Sequence, residues 1–249
     1  MTVLGGSGLI GSKLVELLRR RGHEVVSASL DSGVNTLTGE GLERAVAGAL
    51  VVVDVTNSPS LDGEAALEFF ERSARNIALA EKKAGVGHHV ALSVVGTERL
   101  GESGYFRAKQ AQEALIEASG IPYTIVHSTQ FFEFLGGIVK SGNGGHVVRL
   151  SPAPIQPIAS DDVVDILADV VTSKPLNAVV EVAGPEQFGL AELARRFLVE
   201  KGDSRQVVSD AGARYFGAVL DERTLIPGPN PRLGPTTFET WFNTVQSRA

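Results

Sequence analysis

The chain has 249 residues, 23 basic side chains against 29 acidic ones, a formal charge of −6, and no cysteine. Without cysteine there is no disulfide framework, thiolate nucleophile or sulfur-built zinc site, and an acidic balance without a concentrated basic face speaks against direct nucleic-acid binding. His23, His88, His89, His127 and His146 show no metal-binding spacing, and no apolar run approaches the roughly 20 residues of a membrane span. Met1 leads into a glycine turn rather than a basic and apolar leader. A cytoplasmic protein with neither metal nor membrane partner is expected.

In chain order, the first 127 residues alternate short β-rich runs with helical patterns. Strands are expected over 2–4, 24–29, 34–36, 50–55, 88–93 and 123–127, and helices over 9–21, 41–47, 63–84 and 104–119. This rhythm means parallel strands joined by right-handed crossovers, with helices on both faces. Leu50, Val51, Val52 and Val53 are continuous and apolar, as in a strand buried on both sides. Gly22 and Gly120 stand where a left-handed residue closes a helix. Past His127 the rhythm breaks into an aromatic stretch, a glycine-rich lid or loop over 141–145 and a proline-rich run; a helix over 161–172 and a strand over 178–182 then return to the sheet, and a helix over 190–201 follows. The expected plan is an α/β fold: a Rossmann-type doubly wound parallel sheet of about seven strands, formed by 1–127 with 161–183. A small substrate lobe comes from 128–160 and 184–249. A (β/α)8 barrel is the competing architecture, but the strand count falls short and the tail is irregular.

Gly5, Gly8 and Gly11 lie between the first strand and the first helix with G-x-x-G-x-x-G spacing. Gly5 permits the tight turn, Gly8 lets a pyrophosphate approach the backbone, and Gly11 allows the helix to pack closely on the sheet. Free amides and the positive dipole end at the helix start then face the anion. At the end of the second strand stands Ser29, followed by Leu30 and Asp31. An acid at the strand end itself would accept from the ribose of NAD; its displacement to Asp31 favours NADP, with NAD the alternative.

Tyr105 and Lys109 form Y-x-x-x-K at the start of a helix, and residues four apart share a helix face. Ser93 ends the preceding strand at the carboxyl edge of the sheet, where ligands bind in open α/β folds. A tyrosine working as general acid-base near neutrality must come down from about 10, and a nearby ammonium supplies about 1 to 3 units of that. The bland alternative is a surface pair with a strand-end serine.

At these residues, with the Leu92-Ser93-Val94-Val95-Gly96 strand end, the 121–126 strand and Ile155-Gln156-Pro157-Ile158-Ala159, the sequence resembles the atypical short-chain dehydrogenase/reductase superfamily, in its NmrA-like NAD(P)-binding branch. The resemblance runs from Met1 to about Trp241. It implies a seven-stranded sheet of order 3-2-1-4-5-6-7. It also implies a pyrophosphate held by Gly5, Ser7, Gly8, Leu9 and Ile10, an adenosine ribose facing Ser29, and a nicotinamide side lined by Thr56 and Asn57. Ser93, Tyr105 and Lys109 take the family's catalytic places. The asparagine that many members add is missing: Asn76, in the right helix, is read as a packing or capping residue. His127 stands where an arginine is expected.

Gln130, Phe131 and Phe132, with Phe134, are candidates to line an apolar pocket for a quinone, ketone or other flat carbonyl. Two functions follow. The first is an NAD(P)H-dependent oxidoreductase acting on a small-molecule carbonyl or quinone. The second is a non-catalytic NAD(P) redox sensor working through a protein partner. An epimerase or lyase on the same fold is a third class. The long helices over 63–84 and 104–119 are the candidates for pairing in a homodimer.

Overall fold

Strand β1 (Thr2–Leu4) is fully buried and runs through the glycine turn into helix α1 (Leu9–Arg20), whose buried face is Ile10, Leu14, Val15 and Leu18. The structure, a computed structural model, describes residues 1–142 and 144–247, so residue 143 of the expected lid or loop lies outside the described residues. The next elements are β2 (Val26–Ala28), α2 (Leu42–Val46), β3 (Val51–Asp54), α3 (Gly63–Ala84), β4 (His88–Val94), α4 (Gly104–Glu117) and β5 (Tyr123–Ser128). They are followed by α5 (Leu135–Ser141), β6 (Val147–Leu150), β7 (Pro154–Ile155), α6 (Ser160–Val171), β8 (Ala178–Ala183), β9 (Phe188–Gly189), α7 (Leu190–Glu200), β10 (Gln206–Ser209), β11 (Arg232–Leu233) and α8 (Phe238–Gln246).

Seven strands form one parallel sheet in the order β11-β8-β5-β4-β3-β1-β2. Thr2 of β1 pairs with Val26 of the edge strand on one side and Val52 on the other, and Asp54 pairs with Ala91. Two free edges make this an open doubly wound sheet rather than a barrel. Helix ends follow local chemistry. The Asp62 carboxylate caps α3 by accepting from the Ala65 amide at 3.1 Å, and Gly22 and Gly120 take φ of +85° and +76° in the left-handed region, as the sequence predicts.

The expected strand over 34–36 does not form, so the implied order loses its edge strand, and β11 supplies the seventh strand at the other edge. The reason is competition for the backbone. The side chain of Asn35 accepts from the Leu37 amide at 2.9 Å, and Asn76 Nδ2 donates to the carbonyls of Thr36 and Leu37 at 2.9 and 3.0 Å. Asn76 therefore pins the loop to α3. His88 and His89 point to opposite faces of β4: His88 Nε2 lies 2.9 Å from Thr124 Oγ1 and His89 Nδ1 lies 2.7 Å from Glu81 Oε1.

The chain divides into two compact units. The first comprises 1–93, 104–127 and 163–180, and holds the core of Leu4, Ala28, Leu42, Val46, Val52 and Ile77. The second comprises 94–103, 128–162 and 181–249. It carries the parallel pair β6 and β10, the antiparallel pair β7 and β9, and an aromatic cluster in which Phe132 stacks on Trp241 at 5.2 Å and meets Phe238 edge-on at 5.7 Å. Among the described residues no helix is long and apolar enough to cross a membrane.

Candidate active site

The glycine turn has the geometry its spacing requires. Gly5 has φ of +79°, and a Cβ built on Gly11 would lie 2.1 Å from the Gly5 carbonyl oxygen, so the first turn of α1 rests directly on the backbone of the loop. Gly8 is the helix N-cap, no side chain caps the end, and Ser7, Gly8 and Leu9 are exposed. Open amides at the positive end of a helix dipole fit a pyrophosphate. Ile10 is buried and packs the helix rather than presenting a side chain. Ser29 heads a tight 3-10 turn, in which its amide donates to Ser32 Oγ at 2.9 Å. Asp31 is exposed. In the turn after β2, a Cβ on Gly33 would lie 3.7 Å from a terminal nitrogen of Arg44.

At the carboxyl end of β3, Asp54 is 1% exposed and organises a buried polar chain. Its Oδ1 accepts from the Thr56 amide at 2.9 Å and from Thr56 Oγ1 at 2.6 Å; its Oδ2 accepts from Gln112 Nε2 at 3.0 Å. Gln112 Oε1 in turn accepts from Lys109 Nζ at 2.6 Å, and the same ammonium donates to the Leu92 carbonyl at 3.0 Å and lies 4.6 Å from the centre of the Phe70 ring. Burial pulls the Lys109 ammonium down to about 8, against the attraction of Asp54 and Glu113. Thr56 thus orients a carboxylate, and its hydroxyl is committed to Asp54.

Tyr105 takes different partners. Its hydroxyl donates to Asn57 Oδ1 at 2.8 Å and its ring packs edge-on against Phe70, with centroids 5.9 Å apart. Burial pushes the phenol up to about 12, with the Asn57 hydrogen bond opposing. The expectation that Lys109 draws the Tyr105 phenol down is therefore corrected: the two share a helix, but the ammonium is bound to Gln112 and a main-chain carbonyl. The start of α4 is held tightly, since a Cβ on Gly104 would lie 2.4 Å from Gly63 Cα, which leaves the two helix ends touching backbone to backbone.

Ser93, at the carboxyl end of β4, is also engaged. Its Oγ donates to Glu113 Oε1, and His127 Nε2, at the end of β5, lies 3.1 Å from that same oxygen. Asp54, Gln112, Glu113 and His127 were not singled out as site residues. Two signals were available: an aspartate ending the otherwise apolar run of β3, and Gln112 and Glu113 three and four residues beyond Lys109 on one helix face.

In the second unit Gln130 is 7% exposed, and neither end of its carboxamide has a hydrogen-bond partner among the described residues. Phe131 is half-buried. Phe132 is fully buried against Phe238 and Trp241, which corrects its reading as a substrate contact: it is core.

The sequence profile of the NAD(P)H-binding family matches residues 5–174, from the glycine turn past α6. The chain belongs to the NAD(P)H-binding family. This membership agrees with the resemblance to atypical short-chain dehydrogenase/reductase proteins carried by the glycine turn and the Ser93, Tyr105 and Lys109 positions. Among curated proteins it is 28% identical, over an alignment of 267 residues, to the chloroplastic divinyl chlorophyllide a 8-vinyl-reductase of Oryza sativa subsp. indica; the match covers 88% of this chain and 66% of the relative, so the chain spans less than two thirds of that protein. Among solved structures, the NADP complex of dTDP-4-dehydrorhamnose reductase from Bacillus anthracis superposes with a TM-score of 0.69 at 14% identity, covering 95% of this chain and 89% of the other. MoeE5 in complex with UDP-glucose and NAD superposes with a TM-score of 0.74 at 16% identity, covering 100% and 99%. At such identities these two likenesses establish the fold.

Proposed function

We propose that this protein is an NAD(P)H-dependent oxidoreductase of the short-chain type, moving hydride between the nicotinamide and a small carbonyl or quinone. The observation that carries the reading is the Thr56, Asp54, Gln112 and Lys109 chain, together with Ser93, at the carboxyl edges of β3 and β4 in a sheet that opens on a pyrophosphate-binding turn. The names of the vinyl-reductase and dehydrorhamnose-reductase relatives support a reductase.

Gly5 and Gly8 shape the turn, their own amides donating to the Ala28 and Gly5 carbonyls, and Ser7, Leu9, Ile10 and Gly11 would hold the pyrophosphate through main-chain amides. The bound cofactor supplies or accepts the hydride. Lys109 and Asp54 fix the floor of the site, Thr56 and Asn57 line it, and Asn57 holds the Tyr105 hydroxyl until a substrate oxygen takes over its hydrogen. Tyr105 and Ser93 then orient that oxygen. Arg44 beside the turn after β2 supports NADP over NAD, because a guanidinium suits a 2′-phosphate.

The test is NADPH and NADH oxidation against a panel of quinones and small carbonyls, with cofactor binding followed by nicotinamide fluorescence. Turnover with one of them, reduced in Tyr105→Phe at unchanged cofactor affinity, is expected. Tight binding of both redox forms with no turnover across the panel would overturn the reading. The redox-sensor alternative draws on Lys109 being committed away from Tyr105; it requires different affinities for oxidised and reduced cofactor, since a ligand with equal affinity for two states shifts nothing.

A further inference from the structure

Asp54 and Tyr105 lie on different elements of the first unit, β3 and α4, and a closed path of hydrogen bonds joins them. Lys109 Nζ donates to Gln112 Oε1 at 2.6 Å, and Gln112 Nε2 donates to Asp54 Oδ2 at 3.0 Å. Asp54 Oδ1 accepts from the amide and the hydroxyl of Thr56 at 2.9 and 2.6 Å. The next residue, Asn57, accepts the Tyr105 hydroxyl hydrogen at 2.8 Å, and Tyr105 stands one helical turn before Lys109. The path thus leaves α4, crosses the end of β3 and returns to α4.

Each station admits one chemistry. An ammonium only donates and a carboxylate only accepts, so the carboxamide between them satisfies both in one orientation alone, its oxygen to Lys109 and its nitrogen to Asp54. Asp54 is 1% exposed, and a carboxylate so buried needs partners for both oxygens. With Oδ2 given to Gln112, Oδ1 closes a turn onto the Thr56 amide two residues along the chain.

The backbone beneath this turn is fixed by its neighbours. Asp54 is in register with Leu4 and Ala91, the Val55 amide donates to the Leu4 carbonyl at 3.1 Å, and a Cβ on Gly5 would lie 3.0 Å from the Val55 carbonyl oxygen. The following amide, that of Thr56, goes to the Asp54 side chain instead of to a strand. Asn57 is exposed, so the turn rather than packing directs it. Phe70 sets the plane of the Tyr105 ring, but an edge-on ring contact leaves the hydroxyl hydrogen free to rotate, and the Asn57 oxygen aims it.

We propose that Asp54 is a positioning residue for Tyr105: held by Gln112, its carboxylate shapes the turn through Thr56 and so places Asn57 Oδ1 at the phenol hydrogen. The inference rests on the oxidoreductase reading above, and it gives Lys109 a part in that reaction that runs through the turn instead of through contact with the phenol. With the hydroxyl hydrogen aimed beforehand, the substrate oxygen replaces one acceptor by another and no search for an orientation precedes reaction.

The first test needs no turnover. The chain has three tyrosines, so NMR of a sample carrying a carbon isotope label at tyrosine Cζ gives few signals, and Tyr105→Phe identifies the one sought. Asn57→Ala removes the acceptor and gives the signal position without the bond. Thr56 is half-buried and its amide still holds Asp54 when the hydroxyl is gone, so Thr56→Val is a mild change. It is expected to move the Tyr105 signal toward the Asn57→Ala position, and Thr56→Ser to return it to the wild-type one. Asp54→Ala removes both contacts and is expected to move it the whole way. A signal unmoved in folded Thr56→Val overturns the proposal, and that variant with Thr56→Ser decides alone if Asp54→Ala does not fold.

The second test uses the substrate found in the panel and asks whether the turn acts through Tyr105. Thr56→Val is expected to lower kcat about threefold in the wild-type chain and to change it little in the Tyr105→Phe chain, because residues that work through one hydroxyl are not additive. Thr56→Ser should keep the wild-type rate. An equal fall in both backgrounds would make the turn a support of the strand end only and overturn the positioning role. A moved Tyr105 signal with no turnover against any of the panel overturns the oxidoreductase reading, while the hold of Asp54 on the phenol stands. Turnover with an unmoved signal overturns that hold and leaves the oxidoreductase reading in place.

Discussion

Tyr105 and Lys109, four residues apart on α4, send their polar ends to different partners: the phenol gives its hydrogen to Asn57, and the ammonium gives its own to Gln112 and the Leu92 carbonyl. The ring of Phe70 meets both, edge-on to the tyrosine and under the ammonium. The lysine therefore serves as the counter-charge of a buried acidic network, and the tyrosine keeps its proton. This difference in role separates the effects expected of the two side chains.

Replacing Tyr105 by Phe should lower kcat/KM about tenfold, the worth of one hydrogen bond of about 1.4 kcal/mol. It should leave the pH profile unmoved between roughly pH 6 and 9, because a phenol raised to about 12 stays protonated throughout. Initial rates across that range decide it. An alkaline limb that disappears in the variant would make Tyr105 the titrating group.

Gln112 bridges Asp54 and Lys109, and all three are buried. Gln112→Leu leaves an aspartate oxygen and an ammonium each short of a partner in a place water does not reach. The expected cost is about 2 to 4 kcal/mol, read as a lower midpoint in urea unfolding with an unchanged slope. A loss below about 0.5 kcal/mol would mean that the two charges repair the gap between themselves.

At the glycine turn, a side chain on Gly11 meets a main-chain carbonyl at 2.1 Å, whereas one on Gly8 meets the nearest atom at 3.3 Å. Gly11→Ala must push α1 off the loop, which costs about 1 to 3 kcal/mol. It should weaken NADPH binding at least tenfold by fluorescence titration; Gly8→Ala should preserve the fold and weaken binding less. Equal effects would show that the turn adjusts freely.

Gly104→Ala should separate the starts of α3 and α4, since its Cβ would sit 2.4 Å from Gly63 Cα. Both the melting temperature and turnover are expected to fall, because Tyr105 is the next residue and its bond to Asn57 depends on where α4 begins. A normal melting temperature with normal turnover would contradict the close approach.

Cofactor choice has its own test. Arg44→Ala should lower affinity for NADPH about tenfold and leave NADH binding nearly unchanged, the loss of one charged contact to a 2′-phosphate. Equal losses for both would mean that Arg44 supports the loop rather than reads the ribose.

Much of the fold was legible in the chain because its causes are local. The apolar runs of β3 and β4, the buried face of α1 and the left-handed glycines closing helices depend on spacing of a few residues, and so does the glycine turn. Where the reading failed, the competing force was not local. The segment over 34–36 looks extended, yet Asn76, far along the chain, takes its carbonyls and holds it in a loop. Strand β11 is two exposed residues, Arg232 and Leu233, and nothing apolar announces it. Phe132 and Phe131 are identical as letters, and only the packing of Phe238 and Trp241 makes one core.

By itself the sequence determined an open parallel sheet, a tight glycine turn into the first helix and a set of polar residues delivered to the carboxyl edge of that sheet, because periodicity and glycine placement decide each of these within one element and its neighbour. The tertiary structure alone decided the partners: Lys109 to Asp54 through Gln112, Ser93 and His127 to Glu113, and Tyr105 to Asn57. A helix face brings several donors and acceptors to one side, but which pair forms, and at what proton affinity, depends on what the adjacent strands present and how completely water is excluded.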